Sequence, residues 1–131
     1  MQTRLLLPAV VAAGLLCGCA NQPPSKAAPP SQNCSGDCDI DVDASNGAVP
    51  EKVIVSNGRG KKIRWRIGPG MGVFATNGIE FDAAGQRIFT NCTPSPNWRI
   101  YTCDNSGGVG QYKYTVRLLW RAAYDPFIIN E

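Results

Sequence analysis

The chain has 131 residues, with 13 lysines and arginines against 10 aspartates and glutamates, six cysteines and no histidine. That length supports one small domain, and a formal charge of +3 is too slight to imply a nucleic-acid partner. Without histidine there is no blue-copper ligand set and no Ser-His-Asp or Cys-His catalytic arrangement, so no cofactor and no enzymatic activity are expected.

Arg4 gives the chain a positive start, and residues 5–16 are apolar over the length of a signal-peptide core. The run stops short of the roughly 20 apolar residues that a bilayer span requires, and Asn21, Gln22, Pro23 and Pro24 follow it. It closes on Leu16-Cys17-Gly18-Cys19, with leucine three positions before a cysteine and glycine just before it. This pattern resembles a bacterial lipobox. The resemblance implies that residues 1–18 are a lipoprotein signal peptide and that Cys19 becomes an acylated N-terminus, so that the membrane is a partner through the lipid. A secretory signal cut at another bond is the alternative. By analogy with enteric bacteria, Ala20 in place of aspartate after the cysteine implies the outer membrane of the cell envelope.

Residues 19–36 include Pro23, Pro24, Pro29 and Pro30 among serines and alanines, a composition that cannot bury a core and favours extended conformations. They are expected to tether a domain at 37–131. Cys34, Cys38, Cys92 and Cys103 form an even set in an oxidising compartment, so disulfides are the expected state. Four cysteines allow three pairings. The local bridges Cys34 to Cys38 and Cys92 to Cys103 are expected over the crossed ones, the second spanning a turn-rich segment with Pro94, Pro96 and Asn97. The spacing matches neither a zinc ribbon nor a Cys-x-x-Cys redox pair.

From here on the periodicity is two. Ile40 and Val42 alternate with Asp39, Asp41 and Asp43, and Val53, Ile54 and Val55 form a β-branched run ended by Asn57-Gly58. Ile63, Trp65 and Ile67 alternate with Lys62, Arg64 and Arg66. Segments 73–76 and 79–82 are separated by Asn77-Gly78, a pair suited to a tight turn. Residues 88–89 and 98–103 follow, and then 111–120, where Tyr112, Tyr114, Val116 and Leu118 share one face. Short strands broken by glycine, asparagine and proline predict an all-β fold, a small antiparallel sandwich of immunoglobulin-like or cupredoxin-like type. Trp65, Trp98 and Trp120, with Phe74, Phe81 and Tyr114, supply aromatic bulk for its core, and Trp98 is the best candidate for exposure.

The ending Asp125-Pro126-Phe127-Ile128-Ile129-Asn130-Glu131, behind a strand-rich body, is similar to that of the small bacterial all-β proteins of the DP-EP family. The family has no established activity, so the resemblance brings no functional residues with it.

Two charged groups stand out. Asp37, Asp39, Asp41 and Asp43 form a comb of carboxylates on one strand face, which suits half of a calcium site or, more plainly, an edge guarded against aggregation. An EF-hand loop begun at Asp39 needs glycine where Ala44 sits and glutamate where Pro50 sits, so no metal is expected there. Arg59, Lys61, Lys62, Arg64 and Arg66 follow as a basic cluster that would suit phosphates or carboxylates, or be neutralised by the comb on a neighbouring strand. Gly68-Pro69-Gly70-Met71-Gly72 reads as a connection between strands rather than a nucleotide loop. Together these features predict a lipid-anchored, noncatalytic binding or structural module whose partner is an envelope protein or an anionic glycan or lipid. An enzyme inhibitor, or an enzyme, on the same sandwich is the alternative.

Overall fold

The computed structural model describes residues 31–43 and 49–131. Cys19 and the signal peptide at 1–18 lie outside them. Nine strands and one short 3-10 helix (Gly85–Arg87) lie among the described residues, the strands being β1 (Ser31–Ser35), β2 (Cys38–Val42), β3 (Lys52–Ser56), β4 (Lys61–Ile67), β5 (Phe74–Phe81), β6 (Phe89–Pro94), β7 (Ile100–Asn105), β8 (Gly110–Leu118) and β9 (Phe127–Asn130). Two sheets, ordered β1-β3-β9-β8-β5 and β2-β4-β7-β6, pack face to face. The expected all-β sandwich is the fold.

Its pairings are mixed rather than wholly antiparallel. β1 pairs with β3, β3 with β9 and β2 with β4 in parallel. The cause is that the chain twice makes the same arch between the sheets. β1 turns at Gly36 (φ +89°) into β2, and β3 turns through residues 57–60 into β4. One arch lies beside the other, so like strands run in the same direction. β1 also moves the start of the sandwich to Ser31, inside the segment expected to be a tether. Residues 31–35 alternate between exposed and half-buried, and hydrogen bonding to β3, rather than an apolar face, holds them.

Alternation is clearest where it was predicted. In β4, Ile63, Trp65 and Ile67 are buried, and in β8 so are Tyr112, Tyr114, Val116 and Leu118. Trp65 is the largest fully buried side chain; its ring lies 5.4 Å from that of Tyr114, and its Nε1 donates to the Tyr114 hydroxyl at 3.2 Å. Burial pushes the Tyr114 phenol well above its ordinary pKa. Phe81 stacks on Phe89 with ring centroids 4.3 Å apart.

Asn77-Gly78 does not form the expected hairpin turn. Both flanking segments pair with β8, Phe74 opposite Leu118 and Ile79 opposite Val116, so the extra residues bulge out within one strand. Gly78 is needed there because a Cβ would come within 2.8 Å of the Phe74 Cβ. Trp98, the tryptophan expected to be exposed, is 37% exposed, whereas Trp120 departs from expectation: it is 97% exposed and lies outside the core.

Candidate functional site

The pairing of β2 with β4 sets Asp39 beside Arg64 and Asp41 beside Arg66, on the outer face of their sheet. Arg64 Nε donates to Asp39 Oδ1 at 2.5 Å, and Arg66 reaches Asp41 at 3.5 Å and Asp39 at 3.9 Å. Arg64 also lies 4.0 Å from Asp37, whose Oδ1 accepts from the Lys62 backbone N–H at 2.9 Å. Lys62 Nζ completes the ladder at 2.5 Å from Asp104. The hydrogen bond from Arg64 holds the Asp39 carboxyl below its usual range, and those from Lys62 and Asn91 do the same for Asp104. The comb and the basic cluster are therefore two sides of one charge ladder. Three of the five predicted basic residues spend their charge on it, and Asp37, Asp39 and Asp41 of the comb face guanidinium groups.

Arg59 and Lys61 stand apart. Neither side chain makes an ion pair or hydrogen bond among the described residues, and the same holds for Arg87. They are gathered at one end of the sandwich, around the turn that follows β7. Lys61 lies opposite Asn105, Arg59 packs where a Gly107 Cβ would sit, and Ile88, next to Arg87, accepts the Ser106 N–H at 2.9 Å. Asn105 and Asn130 exchange side-chain amide hydrogen bonds of 3.0 Å beneath this turn, and Asn105 Oδ1 also accepts the Gly107 N–H at 2.8 Å. This buried pair was not legible in the sequence. The end's backbone is thereby fixed, with its free cations arranged around it.

Ser31 sits at the opposite end. It pairs with Lys52, Lys52 with Phe127 and Phe127 with Lys113, and β8 runs on from Lys113 to Leu118 against the direction of β1. β1 therefore begins at the end where β8 leaves. That end carries Trp98, Leu119 and Trp120. The Phe74 N–H donates to the Trp98 carbonyl at 2.8 Å and the Leu119 N–H to the Val73 carbonyl at 3.0 Å, which ties three loops around a shallow cavity of about 420 Å³.

Both predicted disulfides are present, Cys34–Cys38 and Cys92–Cys103. The first braces the arch between β1 and β2. The second crosses a bulge in β6, where Thr90 pairs with Asp104 and Thr93 with Thr102, leaving Asn91 and Cys92 against Cys103. No protein-family model matches the chain, and no curated protein matches it either.

Proposed function

We propose that this chain is an envelope lipoprotein, held to a membrane through acylated Cys19, whose sandwich acts as a noncatalytic module that binds an anionic partner. The observation that carries the reading is the separation of two ends. The chain enters the domain at Ser31, while the uncompensated cations Arg59, Lys61 and Arg87 lie at the far end, around the rigid turn at Asn105. With the anchor at one end, the unpaired cations of the far end suit a module that reaches away from its membrane toward carboxylates or phosphates of an envelope protein or glycan. Arg64, Arg66 and Lys62 serve the ladder instead.

The test uses the full chain, affinity-tagged and extracted from membranes. Intact mass is expected to show cleavage before Cys19 and added acyl chains, and Cys19→Ser is expected to leave the membrane fraction. A partner retained from envelope fractions at stoichiometric amounts, and lost at least tenfold with Arg59→Glu plus Lys61→Glu, supports the binding role. Retention unchanged by that charge reversal would overturn it, and turnover of a substrate by the purified chain would replace it with an enzyme.

A further inference from the structure

The end at which the chain enters the sandwich presents an apolar surface with no use in the fold. Trp120 is 97% exposed, Leu119 44% and Trp98 37%. Both tryptophans hold left-handed backbone conformations, φ +59° at Trp98 and +64° at Trp120, which are strained for large side chains. Packing does not repay that strain, since neither ring is in the core. Their positions are fixed nonetheless, because the Trp98 and Val73 carbonyls accept the Phe74 and Leu119 N–H groups. The three contributing segments, residues 68–77, 95–100 and 118–123, contain Arg99 and Arg121 and no aspartate or glutamate. The patch around the tryptophans is thus aromatic with two arginines, and the carboxylates of this end, Asp41 and Asp43 beside Gly68 and Met71 and Glu51 and Asp125 beside Phe127, lie outside its three segments.

We infer that this end rests on an anionic phospholipid bilayer, with Trp98, Leu119 and Trp120 in the interfacial layer and Arg99 and Arg121 against lipid phosphates. The inference builds on the anchoring proposed above and assigns a second contact to the membrane. Tryptophan suits the boundary between headgroups and acyl chains, where its ring is apolar and its N–H finds a partner. Arginine adds attraction to anionic headgroups. The chain outside the described residues supports the same occupant. Eleven residues separate Ser31 from Cys19 and can span at most roughly 40 Å, so an acyl anchor at Cys19 keeps this end near the bilayer at high local concentration.

The experiment places the purified full chain in vesicles of phosphatidylethanolamine and phosphatidylglycerol, with and without bromine on the acyl chains, and reads tryptophan quenching. The native protein is expected to be quenched several-fold more than the Trp98→Phe/Trp120→Phe variant, whose remaining Trp65 is in the core. Trp120→Phe alone, at a nearly fully exposed position, is expected to show an intermediate value and guards against misfolding of the double variant. Arg99→Gln/Arg121→Gln is expected to weaken quenching in these vesicles and not in neutral ones. Acylated protein that sediments with vesicles yet is quenched no more than the double variant overturns the inference and leaves the anchor standing. Protein without acyl chains that is still quenched supports it while removing the anchor, and protein neither acylated nor quenched overturns both. A dimer in sedimentation velocity that Trp120→Ser abolishes, without lipid quenching, would assign the surface to a second copy of the chain instead.

Discussion

Asn105 on β7 and Asn130 on β9 join the two sheets through a reciprocal pair of amide hydrogen bonds, both 3.0 Å long, at positions 1% and 2% exposed. The pair also sets a steric limit on its surroundings. A Cβ at Gly58 would stand 2.5 Å from the Asn105 amide nitrogen, so the corner between β3 and β4 must carry glycine. Truncating one amide strands the other without water. Asn105→Ala and Asn130→Ala are each expected to lower stability by about 1–3 kcal/mol in urea unfolding. The double variant is expected to lose less than the sum of the two, because the second truncation removes the orphan that the first created.

Trp120 offers a change in the opposite direction. Its φ of +64° is strained for tryptophan and open to glycine, and its ring makes no core contact. Trp120→Gly is expected to raise the midpoint of urea unfolding through relief of about 1 kcal/mol of strain, reduced by the greater freedom of glycine in the unfolded chain. Trp65→Ala, by contrast, empties the centre of the core and is expected to cost about 3–5 kcal/mol.

The charge ladder makes stability depend on acid. The Asp39 pKa is lowered in the folded chain, chiefly by the Arg64 hydrogen bond. Its contribution is therefore complete above the unfolded carboxyl value, near pH 4, and is lost as pH falls through the lowered folded value. Asp39→Asn is expected to be less stable than the native chain at pH 6, with the gap closing toward pH 2. Because the Asp39 and Arg64 side chains are each 36% exposed, the gap is expected to stay within about 1 kcal/mol and to shrink in high salt. Arg64→Glu sets like charges across the β2 and β4 pairing and is expected to destabilise, whereas Arg59→Glu with Lys61→Glu is expected to stay within about 0.5 kcal/mol of native.

The two bridges differ in what they constrain. Cys92–Cys103 closes the longer loop, and loop-closure entropy puts its contribution at about 3 kcal/mol, against about 2 kcal/mol for the short ring of Cys34–Cys38. Paired alanine replacements, compared by thermal unfolding, are expected to rank in that order. A peptide map without reductant is expected to recover both local bridges and no crossed pair.

What the sequence revealed follows a physical pattern. Ile63, Trp65 and Ile67 were legible as core because apolar side chains alternated with charged ones, and β8 was legible in the same way. The neutralisation of Arg64 and Arg66 by the aspartate comb was foreseeable from two adjacent strands of opposite charge. β1 was hidden, since its residues are polar and only backbone pairing recruits them. Gly78 looked like a turn because the residue type permits one, yet it serves a close approach inside a strand. Trp120 shows that residue type points to burial, while backbone direction decides it. Asn105 and Asn130 could not be found by composition: two polar side chains become core residues only by satisfying each other.

The parallel arrangement of β1 and β3 has a mechanical consequence. A pull on Ser31 along the axis of β1 loads the five paired positions to β3 together, so they resist sliding instead of peeling open one at a time. Behind them, the Cys34–Cys38 bond hands the load to β2 in the other sheet. The first strand of the sandwich is therefore built as a lap joint with a rivet, strongest against a pull along its own axis.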